Sequence, residues 1–452
     1  MSGQAIDPEL AWQPWEPTTE TPWDRRSAAH LFRRAGFGAT SKELDAAIQK
    51  QPQEVVASLL SASEPEEYQQ QSESLAAAAV ATGNLKQLPA WWSYRMLTTP
   101  AQLLEKTTLF WHGHFATSAA KVEDARLVLT QNRLLRSHAF GSFGKLVLEI
   151  SRDPAMLIYL DSATNRKLHP NENYAREIME LFCLGEGRYT EQDIRELARC
   201  FTGWEIRREK FRFNSYQHDG GAKSFLGHEG KFGGEEAVEI VVSNEAVPEF
   251  IAGKLYRFFV ADEPAPSKEI VASLAQTLRE SELRIEPVLQ TILGSQLFYS
   301  AQARGRKVRS PVELGIGLLR CLNGSANTFE LTTDLEEIGQ GLFFPPSVKG
   351  WDGGRTWINS STLLGRSNMV RRLLTSEQTR FAEKSIVEYV EEHGIKDAAG
   401  VLDFFETLLF AVPIRSAVRS DMQQLFEGSL SNRDKLISAL HALCTLPEFQ
   451  LA

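Results

Sequence analysis

Residues 169–182, His-Pro-Asn-Glu-Asn-Tyr-Ala-Arg-Glu-Ile-Met-Glu-Leu-Phe, constrain the fold more than any other stretch of this 452-residue chain. From Tyr174 onward, Tyr174, Ile178, Leu181 and Phe182 recur at a helical period. Asn173, Arg176, Glu177 and Glu180 fall at i, i+3, i+4 and i+7 and form a second stripe. That stripe puts an amide, a guanidinium and two carboxylates within reach of one another. Pro170 suits a first helical turn, where Asn171 or Glu172 can satisfy the free N–H groups. Such a helix either leaves its stripe in water or buries it as a fully satisfied polar network. Buried paired carboxylates are typical of metal and acid/base sites.

Most of the remaining chain reads as helix. Asp24 or Ser27 can cap a helix through His30 and Phe32 that Gly36 and Gly38 end. Helical patterns follow near 41–49, 52–61, 66–82, 87–98, 100–115, 121–137, 139–151, 153–160, 171–184 and 190–202. Thr190 with Asp193 resembles a capping box. Patterns resume near 246–260, 267–280, 284–294, 310–322 and 329–340, and again from Ser360 to the end. Between the two series, residues 205–243 are rich in Gly, Lys, His and Phe, and Phe211 and Phe213 alternate with polar residues as in a β-ribbon. Residues 342–358 form a Pro/Gly/Trp-rich loop. Residues 1–23, with Trp12, Trp15 and Trp23, read as an arm lying along the body. The expectation is an all-α protein of many short helices. One large helical unit, 24–452, divides into an N-terminal half (24–204), an irregular insertion (205–243) and a C-terminal half (244–452).

Charge excludes one class of function. With 49 Lys and Arg against 58 Asp and Glu, the formal net charge is -9, which disfavours sequence-independent nucleic-acid binding. Cys183, Cys200, Cys321 and Cys444 form no C-x-x-C pair, so a zinc ribbon is not expected. A Cys183–Cys200 disulfide stays open. No run approaches the roughly 20 apolar residues of a membrane helix. The N-terminus lacks the basic and apolar segments of a signal peptide, so a cytoplasmic protein is expected unless the natural N-terminus is longer.

Four groups of residues can carry chemistry. His112 and His114 flank Gly113 in a Trp/Phe context, and a regular helix would point them to different sides. A metal site there needs the helix to break at Gly113. Glu177 and Glu180 share a face and can complete a divalent-metal set, although the Glu-x-x-His motif of di-iron bundles is missing. Alternatively, Arg176 with Arg195 or Arg199 pairs these carboxylates in a structural network. In the insertion, His218, Asp219 and Lys223 surround Gly220 and Gly221, followed by His228. His218 or a carboxylate would serve as base, and Lys223 or Arg176 would steady an anion. The loop offers Lys349, Trp351, Asp352 and Arg355, which with Asn171 and Asn173 suit binding of a small-molecule, carbohydrate or peptide ligand. No G-x-S-x-G, G-x-x-x-x-G-K-[ST] or H-E-x-x-H motif occurs.

Seven blocks in order, from AAHLFRRAGFGAT (28–40) through FWHGHFATS (110–118), DPAMLIYLD (153–161), NENYAREIMELFCLG (171–185), YTEQDIRELARCFTGW (189–204) and HDGGAKSFLG (218–227) to FPPSVKGWDGGRTWIN (344–359), resemble the bacterial family named domain of unknown function 1800. The resemblance spans nearly the whole chain. It implies a largely helical fold. It also implies a genomic neighbour resembling the alkaline phosphatase and sulfatase superfamily, and export signals in many relatives, but no substrate. Two functional expectations follow. One is a metal-assisted hydrolase or oxidoreductase built on His112, His114, Glu177 and Glu180. The other is a non-catalytic binding or assembly protein acting with a phosphatase- or sulfatase-like partner.

Overall fold

The computed structural model describes residues 7–430 and 432–452; the first six residues of the expected arm lie outside this range. Twenty-five α-helices account for most of the described residues, and the only sheets among them are three two-stranded antiparallel pairs. The fold is mainly α. Buried apolar side chains form one cluster running from Ala11 to Phe449.

Helices start where the sequence supplies caps. The Asp24 carboxylate accepts from Ser27 N, Thr190 and Asp193 form a reciprocal capping box, and Ser310 and Glu313 form another. The arm lies on the body. Trp12 Nε1 donates to the Ile270 carbonyl at 2.9 Å, Trp23 Nε1 donates to Ala47 O at 3.3 Å, and the Trp15 ring stacks on Tyr299 at 4.1 Å.

Seven helices position the candidate site: α1 (Gln87–Thr98), α2 (Gln102–His114), α3 (Ala125–Ser137), α4 (Asn173–Glu177), α5 (Glu191–Cys200), α6 (Ala246–Phe259) and α7 (Pro311–Cys321). Helix α2 is the central one. Only Leu104 and Gly113 in it are even partly exposed. It nevertheless carries adjacent opposite charges, Glu105 and Lys106, both at 0 % exposure. Burying a charge is costly unless it is paired and hydrogen-bonded. Glu105 therefore receives Trp92 Nε1 at 2.7 Å and Arg95 Nη2 at 2.8 Å from α1, and Arg136 Nε at 2.6 Å from α3. Lys106 Nζ meets Glu313 Oε1 of α7 at 2.6 Å.

Three local features depart from the expectations drawn from sequence. The helix expected over 171–184 begins at Asn173, leaving Pro170 outside, and widens into a π-helical turn over Ile178–Cys183. The 121–137 pattern is two helices, Ala119–Val122 and Ala125–Ser137, separated at Glu123, whose φ is +59°. The insertion holds two hairpins, pairing Trp204–Arg207 with Lys210–Phe213 and Lys223–Phe225 with His228–Gly230, and then a helix over Gly234–Val242. Gly233-Gly234 at the start of that last helix reads as loop in the sequence. All four cysteines are buried and free, so Cys183 and Cys200 are not bridged.

The 342–358 loop rests on α2 by direct backbone approach. Gly350 has φ +78°, and a Cβ there would lie 2.2 Å from the Gly113 carbonyl oxygen.

Two predictions follow from these contacts. Glu105→Gln leaves Arg136 without its counter-charge and Arg95 with Glu64 alone, and breaking a buried pair in this way costs about 3–5 kcal/mol; an unchanged urea midpoint would contradict the role given to Glu105. The two arginines hold the Glu105 carboxyl down to about 2, against 4.5 unperturbed, despite the opposing effect of burial. Its contribution is thus complete above about pH 4.5 and fades as pH falls toward 2, so the stability gap between wild type and Glu105→Gln should close across that acid window. Gly350→Ala should lower the thermal midpoint by unseating the loop, since it adds left-handed strain to a backbone clash; an unaltered midpoint would show the loop free to shift.

Candidate functional site

The signature segment 171–185 organises the site through its π turn. In that turn Leu184 N and Gly185 N both donate to Met179 O. The Leu181 and Phe182 carbonyls at the end of the turn are taken by side chains instead: Lys254 Nζ donates to Leu181 O at 3.0 Å, and His114 Nε2 donates to Phe182 O at 3.0 Å. A cation and an N–H donor at a helix C-terminus satisfy unpaired carbonyls and suit the local dipole. Two elements far apart in sequence, α2 and α6, are thereby tied to the signature.

His112 and His114 diverge. Helix α2 runs unbroken through both, so the break that convergence requires does not occur. His112 Nε2 accepts from Phe343 N at 3.1 Å, and its ring lies among Trp92, Phe343 and Trp351. Burial pushes its pKa down to about 3, so the ring is neutral and its lone pair is used on the loop backbone. His114 faces the π turn. Burial, and then the Lys254 charge, push it well below the usual imidazole range. Because Nε2 carries the proton given to Phe182, Nδ1 is an acceptor, and it is buried with no partner among the described residues.

The carboxylates do not join them. Glu180 accepts from Tyr189 Oη, and Arg176 makes a bidentate pair with Glu191 at 2.8 Å rather than with Glu177 or Glu180. Glu177 is half-buried, and burial followed by the neighbouring Glu180 charge raises its pKa. Among the described residues no three His, Cys, Asp or Glu side chains stand together as a metal-holding group. The set His112, His114, Glu177 and Glu180 is therefore not assembled, because rings two residues apart on a continuous helix point apart. The alternative arginine network also differs from expectation: Arg195 bonds Gln192, and Arg199 bonds Asp219 and Glu196.

The insertion residues close on themselves. Asp219 pairs with Arg199 Nε at 2.7 Å, its backbone N donates to Thr202 Oγ1, and His218 Nδ1 donates to Thr202 O at 2.9 Å. Lys223 is buried and donates to the Asp219 and Phe232 carbonyls. Asp219 thus ties the insertion to α5, His218 ties it to Thr202 just beyond α5, and Lys223 ties it to itself. Arg176 is likewise occupied, and His228 is exposed. Asn171 donates to Asp161 O and accepts from Asn173 N, a turn-forming role.

The loop residues fare differently. Lys349, Trp351 and Asp352 line a cavity of about 280 Å³ whose other walls come from the end of α2, from α6 and from 307–313. Arg355 lies outside it, paired with Glu263 at 2.6 Å. Phe110, Phe258 and Trp357 make the cavity apolar; Lys254, Arg257, Asp262, Lys307 and Glu313 make it charged, and neutral His114 adds a polar ring. Every acid there has a partner: Asp262 meets Lys307 at 3.3 Å, Glu313 meets Lys106 at 2.6 Å, and Asp352 meets Lys349 at 2.8 Å. Lys254 and Arg257 meet no carboxylate among the described residues. Buried Arg34 donates to the Val260 and Ala303 carbonyls and feels the Glu313 and Asp262 charges. A larger cleft, about 580 Å³, lies against the arm, but there Glu20, Asp24 and Glu406 balance Arg26, Arg304 and Arg306.

Lys254, Arg257, Asp262, Lys307 and Glu313 were not singled out from sequence. Lys254 did carry a signal, since it sits on the apolar stripe Phe250, Lys254, Phe258 of α6, where a cation is out of place. No described helix is long and apolar enough to cross a membrane. No curated protein and no solved structure matches the chain. A family model described as "Protein of unknown function (DUF1800)" matches residues 30–451, nearly the full length, and the chain belongs to that family.

Proposed function

We propose that the protein binds a small organic anion in the cavity beneath the 342–358 loop. The observation that carries this reading is the pair Lys254 and Arg257, two cations in one cavity without carboxylate partners, beside acids that are already paired. Phe110, Phe258, Trp351 and Trp357 would hold the apolar body of the ligand, and the buried Trp351 Nε1, which has no partner among the described residues, is a spare donor. A volume near 280 Å³ suits a small molecule better than a carbohydrate chain or a peptide. This reading lies nearer to the binding expectation than to the metal-assisted hydrolase or oxidoreductase, and the commitment of His112 and His114 to different backbone partners supports it.

Calorimetric titration with small carboxylates, phosphate and sulfate tests the proposal. At least one anion should bind, weaken as ionic strength rises, and bind about tenfold more weakly to Arg257→Ala, as loss of one charged hydrogen bond implies. Equal affinity in wild type and Arg257→Ala, or no anion binding at all, would remove the cavity from consideration.

A further inference from the structure

Lys254 differs from the other lysines around the cavity. Lys106 and Lys307 are each tied to a carboxylate, and so is Lys349. Lys254 has only the Leu181 carbonyl at 3.0 Å and the face of Phe250 at 4.7 Å. A carbonyl asks for one N–H whatever the protonation state of the amine. A neutral Lys254 therefore keeps its hold on Leu181 and still has a lone pair to spare. Burial, and then the Arg257 and Lys349 charges, bring the ammonium down to about 8, with nearby Cys183 opposing. A desolvated lysine beside other cations is the setting in which amines act as nucleophiles toward carbonyl carbon. Arg257 lies three residues on, on the same face of α6, where its guanidinium is suited to a carboxylate next to that carbon.

We infer that Lys254 is a covalent site, condensing with the carbonyl carbon of a 2-oxo acid held in the cavity by Arg257. The inference rests on the anion-binding reading above and names its ligand class. The amine lone pair adds to the carbonyl carbon, giving a carbinolamine. The former carbonyl oxygen takes a proton and leaves as water, and the C=N bond forms. No oxidant or reductant is consumed. The protonated imine keeps one N–H, so the Leu181 carbonyl stays satisfied and the π turn need not move.

The test is reductive trapping. The full chain is incubated with pyruvate and sodium borohydride, and the adduct is located by intact mass and peptide mapping. A single adduct on Lys254 is expected. It should be lost in Lys254→Arg, which retains the charge and the bond to Leu181 O and so keeps the fold. Trapping by pyruvate should drop in Arg257→Ala, while trapping by acetaldehyde, which has no carboxylate, should not. Label spread over surface lysines with Lys254 unmodified would overturn the inference. Calorimetry with oxalate, an anion without a reactive carbonyl, separates the two failures. Oxalate binding without trapping ends the covalent role alone, whereas neither binding nor trapping ends the anion-binding reading as well.

Discussion

A helix with almost no exposed residue cannot carry a charge without an opposite one waiting for it, and α2 carries two. Glu105 and Lys106 are neighbours in sequence and point to different sides. Glu105 gathers Trp92, Arg95 and Arg136, while Lys106 reaches Glu313 on the opposite half of the chain. Because leaving either charge unpaired would cost more than most single contacts contribute, α1, α3 and α7 are held to specific positions around α2. The end of that helix then lies where the loop, α6 and the π turn converge. The cavity exists because this one helix is buried and polar at once.

The π turn supplies the second fixed relation. An ordinary α-helix ending would leave its last carbonyls to water or to a glycine cap. Here the widened turn presents Leu181 O and Phe182 O to side chains from α6 and α2. Single-turn π segments are frequently found at functional sites. In this protein the segment orders Lys254 and His114, two polar groups of the cavity wall.

Local pattern made the helices readable. Tyr174, Ile178, Leu181 and Phe182 reveal a helical face by spacing alone, and Thr190 with Asp193 reveals a start. The widening at Ile178 was not readable, because a π turn is defined by its backbone hydrogen bonds, which side-chain spacing does not encode. The Gly233–Gly234 start of one helix was hidden by the same glycines that mark loops elsewhere. Of the residues nominated for a site, Lys349, Trp351, Asp352 and His114 reach one cavity, while the His218–Lys223 group serves to fasten the insertion. The difference lies in contacts between residues more than a hundred positions apart, such as Lys106 with Glu313. No local spacing encodes them. The polar stripe of the signature is a half-buried face, with Arg176 paired to Glu191 and Glu180 to Tyr189, a state between the wet face and the closed network that its spacing left open.

The seat of the loop on α2 has a further consequence. Gly350 and Gly113 meet through backbone, with no side chain between them. The height of the cavity roof is therefore set in part by two residues that contribute nothing to its chemistry, helped by His112, which holds Phe343 N and packs on Trp351, whereas Lys349 and Asp352 supply charge to the cavity and pair with each other. Placement and selectivity are separable in this design. Exchanging Lys349 and Asp352 should retune which ligand is accepted while the roof stays where it is.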